Sequence, residues 1–347
     1  MTKPRSQLID LQQTPYYHCI NRCVRRSFLC GEDHLTGKNY EHRKVWIVER
    51  LALLSRIFAI EVAAYAVMSN HYHVVLRVDK DSALKLNDQQ IAVRWRKLYQ
   101  WPLLVENYLK GQTDAAETDK AQQIIQKWRN RLHDISWFMR CLNEHLARKA
   151  NKEDNCTGKF WEGRFKSQAL LGEAAVLTCM AYVDLNPIRA GVADTPETSD
   201  HTSVQKRIEY LATSAHKQKR KYKTKRKKKH NPDSLSKIKL MPLVKQTNDK
   251  HPNAIGYTLK DYLELIDWIG RSKRNDKRGA INDRTPPILQ RLELNADDFI
   301  EHVLTYDDKY FYPVAMGPID QLIKLAQHWK QKFIKGQYSF QRLYFTP

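Results

Sequence analysis

Two histidines separated by one residue, His71 and His73, are of a type and spacing that could bind a metal. The segment His71–Val78 (HYHVVLRV) is rich in β-branched residues and predicts a strand. Residues i and i+2 of a strand point to the same side, so both imidazoles face one way while Tyr72 faces the other. Two neutral imidazoles that converge can chelate a divalent metal, completed by a third side chain and water. The alternative is a pair of surface histidines on a half-exposed strand.

A tyrosine later in the chain could supply a nucleophile. The segment Glu173–Leu185 predicts a helix that ends at Asn186-Pro187. At 100° per residue its apolar residues occupy one arc, and Tyr182 and Asn186 lie outside it, one turn apart on the same face. A tyrosine in that position is either a surface residue or a functional one. Asp184 falls inside the apolar arc, and the pattern explains it only as fraying of the helix end.

Basic and aromatic residues alternate between residues 158 and 166 (GKFWEGRFK). This mixture suits a single-stranded nucleic acid, because cations can contact phosphates while rings stack on bases. The groups that could contact phosphates are the side chains of Lys159, Arg164 and Lys166 and the backbone of Gly163. The alternative is a strand with one aromatic face in the core, for which Trp161 is the first candidate.

The charge of the chain points to the same kind of partner. The 59 Lys and Arg residues outnumber the 38 Asp and Glu residues, which leaves a formal charge of +21. Ten of the residues in Lys217–Lys229 (KQKRKYKTKRKKK) are basic and none is acidic. Such a run repels itself and buries nothing, so it predicts a linker or arm that attracts polyanions.

Composition also excludes several classes of protein. No apolar run reaches the roughly 18 residues that a membrane span needs, and the N-terminal residues do not resemble a signal peptide. We therefore expect a cytoplasmic protein with no membrane partner. The six cysteines are irregularly spaced, which favours free, buried thiols over disulfides or a zinc site.

The elements that must position these residues alternate between strands and helices. We predict α+β architecture of the ferredoxin-like type, an antiparallel sheet with packed helices. A hairpin turn at Ser69-Asn70 joins the second and third strands. The predicted strands are Thr14–Val24, Glu61–Met68 and His71–Val78, with Lys159–Leu171 a strand or a loop. The predicted helices are Tyr40–Ile60, a polar helical stretch over Leu84–Trp128, Ile135–Lys149 with Asp134 as its N-cap, and Glu173–Leu185.

The chain is long enough for about two domains, and we expect the basic run to separate them. We predict a first domain over residues 1–212, a basic linker over 213–239, and a mostly helical region of unassigned role over 240–347. The amphipathic candidates in that last region are Leu259–Ile269, Ala296–Tyr306 and Ile319–Phe333.

Four motifs together resemble a known family. The segment 69–76 (SNHYHVVL) is similar to the histidine pair of the HUH superfamily, and 16–22 (YYHCINR) resembles its first strand. The segments 160–165 (FWEGRF) and 182–191 (YVDLNPIRAG) resemble the C-terminal half of the REP-associated tyrosine transposases. The resemblance spans residues 14–195, with the motifs in family order. It is interrupted by a long insertion between His73 and Asp134.

The resemblance implies that His71 and His73 bind Mg²⁺ or Mn²⁺ and that Tyr182 is the nucleophile. Asn186 stands where relatives of this family carry a glutamine that completes the metal site, and its shorter side chain would bind through water. The implied substrate is single-stranded or hairpin DNA. The DNA contacts that we predict are the basic residues in and beside these motifs: Arg22, Arg25, Arg26, Lys159, Arg164, Lys166 and Arg189.

The implied reaction is strand cleavage and rejoining. A free phenol, with a pKa near 10, is a poor nucleophile at neutral pH, and a metal on the phosphate oxygens assists its attack. Attack by Tyr182 would leave a 5′-phosphotyrosine and a 3′-hydroxyl that can rejoin strands without ATP. One tyrosine per chain predicts a homodimer for paired cleavages. Two alternatives stay open: a nucleic-acid-binding regulator that keeps the fold without the chemistry, and a metal-dependent nuclease that uses water.

Overall fold

The computed structural model describes residues 8–24, 29–33, 37–210, 238–244, 254–272 and 314–334. Arg25 and Arg26, the run Lys217–Lys229 and the predicted helix Ala296–Tyr306 lie outside the described residues. The strands are β1 (Tyr16–Arg22), β2 (Ile60–Val67), β3 (His71–Val78), β4 (Lys166–Leu170) and β5 (Ala315–Met316). The helices are α1 (His42–Ile57), α2 (Lys80–Leu84), α3 (Asp88–Arg96), α4 (Leu103–Leu109), α5 (Ala115–Leu132), α6 (Ile135–Glu153), α7 (Gly172–Arg189), α8 (Leu259–Ser272) and α9 (Ile319–His328).

The strands form one five-stranded, mostly antiparallel sheet in the order β2-β3-β1-β4-β5. Strand β1 lies antiparallel to both β3 and β4, and β2 and β3 form the predicted antiparallel hairpin. With helices packed on this sheet, the α+β class is confirmed. Strand β5 was not predicted, because two residues are too few to show a strand period. It pairs in parallel with β4 and so adds the described C-terminal region to the sheet.

Helices cover both faces of the sheet, and strand alternation decides what each face presents. On one face, the Tyr72 hydroxyl donates to Asn143 on α6 at 2.5 Å. On the other face, the His73 ring contacts the Tyr182 ring on α7. Because neighbouring residues of a strand point to opposite faces, α6 and α7 lie on opposite sides of β3. The imidazole side is therefore the α7 side.

Helix α6 begins where the sequence predicts. The Asp134 carboxylate accepts a hydrogen bond from the backbone N–H of Ser136 at 2.6 Å, which satisfies one of the free donors at the helix start. The predicted apolar stripe of Phe138, Leu142 and Leu146 is buried. The helix continues to Glu153, four residues beyond its predicted end.

Helix α7 does not end at Asn186-Pro187, and that prediction is wrong. Pro187 lies inside the helix, which runs to Arg189. Proline removes one backbone donor, but hydrogen bonding resumes after it, because the Ala190 N–H donates to the Asn186 carbonyl at 3.0 Å. Every residue of α7 from 175 to 187 is buried, so tertiary packing holds the last turn in place against the local effect of proline.

The described C-terminal residues contact the rest of the chain, while the predicted domain boundaries at 212 and 239 stay a prediction. The His328 ring on α9 lies 2.6 Å from the Asp10 carboxylate. Tyr262 on α8 donates to Asp184 on α7 at 2.7 Å.

The six cysteines are free and all but Cys156 are buried, as predicted. Among the described helices, none has both the length and the apolar character of a membrane span.

Candidate active site

His71 and His73 point to the same side of β3, as the strand alternation predicts. Their Nε2 atoms lie 2.9 Å apart, and the side chains are 7% and 0% exposed. The alternative of two surface histidines is therefore wrong. Two nitrogens at right angles around a cation, each about 2.1 Å from it, would stand about 3.0 Å apart. The observed separation fits a pair of neighbouring ligands on one divalent metal.

Asn70 determines which nitrogen of His71 carries a proton. Its amide oxygen lies 2.5 Å from His71 Nδ1. An amide oxygen only accepts hydrogen bonds, so Nδ1 donates and the lone pair of the neutral ring stands on Nε2. That lone pair is directed towards His73. Metal-binding histidines are commonly oriented in this way, by a hydrogen bond from the ring nitrogen that does not bind the metal.

A third histidine, His18 on β1, completes a chain of imidazoles. His18 Nε2 lies 3.0 Å from His73 Nδ1, and the two rings stack with centroids 5.2 Å apart. No local pattern distinguishes His18, although it lies within the YYHCINR motif. Its relevance depends on the pairing of β1 with β3, in which Ile20 stands opposite His73. A lone histidine on a strand gives no signal until that register is known.

Tyr182 on α7 lies against these imidazoles. Its ring meets the His73 ring edge-on at 5.5 Å between centroids, and the His18 ring at 6.1 Å. Tyr182 is 2% exposed, which rules out the surface-residue interpretation. The Arg189 guanidinium carbon lies 5.2 Å from the centroid of the same phenol ring. A positive charge there would attract a phosphate that approached the phenol.

Asn186 lies one helical turn beyond Tyr182 and is 9% exposed. The i, i+4 spacing places both side chains on the same face of α7. Among the described residues, no group of three or more His, Cys, Asp or Glu side chains could hold a metal ion by itself. A metal bound to His71 and His73 would therefore need an amide oxygen, water or a substrate phosphate to complete its ligands.

A basic cleft of about 270 Å³ lies beside the histidines. Its walls include three of the predicted DNA contacts, the side chains of Arg22, Arg164 and Lys166, together with the Gly163 backbone and Glu162. Strand register explains the position, because Ile20 in the cleft wall pairs with His73 on one side and with Lys166 on the other. The basic cleft and the imidazoles are therefore on neighbouring strands. Three of the seven predicted contacts converge here.

The other predicted DNA contacts are distributed differently. Lys159 is exposed but does not line the basic cleft. Arg189 lies at the end of α7 beside the Tyr182 ring. Arg25 and Arg26 are outside the described residues.

The aromatic residues of this segment belong to the core. Phe160, Trp161 and Phe165 are all buried, so the expectation that their rings are available to bases is wrong. Trp161 packs edge-on against Tyr72 and donates its indole N–H to the Asn143 carbonyl at 3.0 Å. The rings fill the sheet face that α6 covers, while the exposed Arg164 and Lys166 alternate with them. The alternative is correct about the core position of the rings, but only Lys166 of this segment lies in a strand, at the start of β4.

Asp184, which the sequence pattern could not explain, ties α7 to two other segments. It is fully buried and accepts hydrogen bonds from the Tyr262 hydroxyl on α8, the Ser203 hydroxyl and the Val204 N–H. Burial raises the pKa of this carboxyl, against the lowering effect of those hydrogen bonds. The residue therefore stabilises the position of the helix that carries Tyr182. Nothing in its contacts suggests a role in chemistry.

Comparison with known proteins gives little beyond this geometry. No family model matches the chain, and no curated protein matches it. Among solved structures, the chain is similar to a REP-associated tyrosine transposase bound to a REP hairpin, with 13% identity and a TM-score of 0.35. The match covers 60% of this chain and 86% of that one. A TM-score this low supports no inference about function, so a function can be inferred only from the arrangement of the side chains.

Proposed function

We propose that this protein cleaves and rejoins single-stranded or hairpin DNA through a covalent 5′-phosphotyrosine on Tyr182. The observation that carries the proposal is the contact between the Tyr182 ring and the His73 ring, with a basic cleft beside them. A nucleophile, a pair of potential metal ligands and a phosphate-binding surface are then adjacent within one chain. The strand order β2-β3-β1-β4, with its split βαβ connections, supports the ferredoxin-like arrangement of an HUH nuclease.

His71 and His73 would hold the divalent metal, with Asn186 or water as a further ligand. When bound, the metal would polarise the scissile phosphate and offset its developing negative charge. Of the two metals expected, imidazole ligands favour Mn²⁺, because Mg²⁺ prefers oxygen ligands. Asn70 and His18 would keep the two imidazoles in the orientation that directs their lone pairs at one point.

The protein's own groups would bind and orient the DNA for an exchange of one bond. The phenol of Tyr182 loses its proton and forms a bond to phosphorus, while the bond from phosphorus to the 3′ oxygen breaks and that oxygen takes up a proton. The phosphodiester is exchanged rather than hydrolysed, so the 3′-hydroxyl can attack the phosphotyrosine in reverse. Arg22, Arg164 and Lys166 would hold neighbouring phosphates. Arg189 would stabilise charge beside the phenol.

His18 is the positioning residue in this proposal. Its Nε2 stands at hydrogen-bond distance from Nδ1 of His73, the nitrogen that faces away from His71. His73 would donate its Nδ1–H to His18 Nε2, which leaves the lone pair of the His73 ring on Nε2, where it can be directed at the metal. His18 would therefore act through His73 and would not contact the substrate.

The burial of Tyr182 favours a second candidate, a nucleic-acid-binding regulator without chemistry. A phenol that is 2% exposed reaches a phosphate only if α7 or the neighbouring segments shift when DNA binds. A protein that had lost the chemistry could keep the same packing and the same basic cleft.

One experiment distinguishes the candidates. The full chain is incubated with a hairpin DNA labelled on the 5′ side and on the 3′ side of the expected cut, with and without Mn²⁺, and the products are separated under denaturing conditions. A labelled band that migrates with the protein only when Mn²⁺ is present supports the phosphotyrosine. Salt-sensitive binding with intact DNA identifies the regulator. Cleaved DNA free of protein identifies the nuclease that uses water. Scattering measurements of the mass in solution test the predicted homodimer.

A further inference from the structure

A second positively charged cleft lies far from the histidines, and we name it the rear cleft. It encloses about 410 Å³ between α1 and α6, beside the end of α3. Four cationic side chains line it, with one imidazole and one carboxylate: Arg50, Arg148, Lys149, Lys152, His145 and Glu144. None of these residues belongs to the candidate active site.

The rear cleft and the imidazoles lie on opposite sides of the sheet. Helix α6, which supplies most of the cleft, packs on the Tyr72 face of β3 through the hydrogen bond from Tyr72 to Asn143. The histidines face α7 on the other side. A phosphate in the rear cleft therefore cannot be the phosphate that Tyr182 attacks. The cleft requires its own explanation.

The cations of the rear cleft are not balanced by acids within it. Glu144, the carboxylate in its lining, accepts a hydrogen bond from Arg140 at 2.9 Å, and its other oxygen lies 3.9 Å from Arg148. Burial lowers the pKa of Arg50. The groups that raise this pKa are the Cys141 thiol and the Tyr99 phenol, and no carboxylate is among them. Burial also lowers the pKa of His145, and the charges of Arg50 and Lys149 lower it further. An anion in the cleft would offset this concentrated positive charge.

Two of the cations are already held in place. The Nε of Arg50 donates to the Cys141 carbonyl at 3.1 Å, which fixes the guanidinium at the wall of the cleft. The ammonium of Lys149 lies 4.0 Å from the centre of the Trp46 ring. Groups that are ordered before binding lose less conformational entropy when a ligand arrives. Arg50 and Lys149 would therefore lose less conformational entropy on binding an anion than side chains without such contacts.

We infer that the rear cleft binds the phosphodiester backbone of a nucleic acid, at a segment separate from the one in the basic cleft. The cations Arg148, Lys149 and Lys152 of the lining lie within two successive turns along one side of α6, with about 5 Å along the helix axis between one turn and the next. Several cations along one helix match a polymer with regularly spaced phosphates better than they match a single small anion. The inference goes beyond the proposed cleavage, because binding here requires no chemistry.

The test measures DNA binding by the full chain under conditions in which no cleavage occurs. Fluorescence anisotropy follows the binding of a labelled hairpin in EDTA at several salt concentrations. The variant is Lys149→Gln/Lys152→Gln, and the matched control is Lys120→Gln/Lys127→Gln, an exposed pair on α5 that removes the same charge. Lys152→Gln alone serves if the double variant fails to fold.

The rear-cleft variant is expected to bind about tenfold more weakly at physiological salt, and its slope of log K against log salt should fall by about 1.8 for contacts to a duplex stem. The control should stay within about twofold of the unsubstituted chain. Equal losses in both variants would show only an effect of net charge and would overturn the inference, as would no loss in either. The inference would also be overturned if the rear-cleft variant lost affinity for poly-glutamate or tripolyphosphate while keeping its affinity for DNA. Because metal is absent, none of these outcomes depends on whether Tyr182 is a nucleophile.

Discussion

The ring of Tyr182 stands almost perpendicular to the ring of His73, at an interplanar angle of 87° and with 5.5 Å between their centroids. The two residues lie more than one hundred positions apart in the chain, on α7 and β3. Their contact places a phenol beside a potential metal ligand without help from a second subunit.

Removing the Tyr182 hydroxyl should abolish the covalent adduct with DNA. Tyr182→Phe keeps the buried ring, so the fold and DNA binding should persist while the denaturation-resistant band falls at least a hundredfold, since no other group replaces the nucleophile. The matched control is Tyr72→Phe, which removes a hydroxyl from the opposite face of the same sheet and should cost about 1 kcal/mol of stability. An adduct that survives in Tyr182→Phe would rule out this nucleophile.

Replacing either His71 or His73 should weaken metal binding much more than it affects the stability of the fold. We expect His71→Ala to lower Mn²⁺ affinity by more than tenfold, measured by the loss of the free-ion signal in electron paramagnetic resonance. His42→Ala is the control, because His42 is paired with Glu153 on the other helical layer. If the two variants bind Mn²⁺ equally well, the metal site does not include His71.

His18 should affect metal affinity through its contact with His73. His18→Leu fills a similar volume without a ring nitrogen and is expected to lower Mn²⁺ affinity by about ten- to a hundredfold. His18→Gln can still reach His73 with an amide group and should recover most of the loss. If the leucine and glutamine variants bind Mn²⁺ equally, while His71→Ala does not bind it, the positioning role is wrong but the metal site stands.

The charge of the basic cleft should determine the salt dependence of binding to single strands. Arg164→Gln/Lys166→Gln removes two cleft charges and should reduce the slope of log K against log salt by about 1.4. Lys159→Gln lies outside the cleft lining and is the control from the same segment. A larger effect from Lys159 than from the cleft pair would place the strand elsewhere.

Asp184 should make stability fall as pH rises above the ordinary pKa of an aspartate. Burial raises the pKa of this carboxyl in the folded protein, so the folded state keeps a proton that the unfolded state releases. The stability it contributes is complete below the unfolded pKa, about 3.9, and is lost as pH rises towards the folded pKa.

Urea unfolding at several pH values checks this sign. The unfolding free energy of the unsubstituted protein minus that of Asp184→Asn should decrease as pH rises from about 4. Tyr262→Phe removes a hydrogen bond but keeps the carboxyl, so the same trend should persist in that variant. A difference that grows with pH would contradict the buried, proton-retaining carboxyl.

Local patterns in the sequence were sufficient to predict the strand that carries the histidine pair and the elements next to it. The β-branched residues of 71–78 predicted the strand, and the two-residue period of a strand predicted the shared direction of His71 and His73, because side-chain direction on a strand depends only on position along it. Asp134 marked the start of α6, because an N-cap acts on backbone groups two or three residues away. The antiparallel hairpin of β2 and β3 followed from adjacent strands and a short turn.

Tertiary structure alone decided which distant residues meet. His18 joined the site because β1 pairs with β3 in one particular register, which no local pattern specifies. Phe160 and Phe165 became core residues, and Asp184 became a buried hydrogen-bond acceptor, because the neighbouring elements supplied partners for them. Pro187 stayed within α7 because burial on all sides outweighs the loss of one backbone hydrogen bond. The sequence determines the types of the reactive groups and the direction in which each points along its own element, while the distances between them depend on how the elements pack.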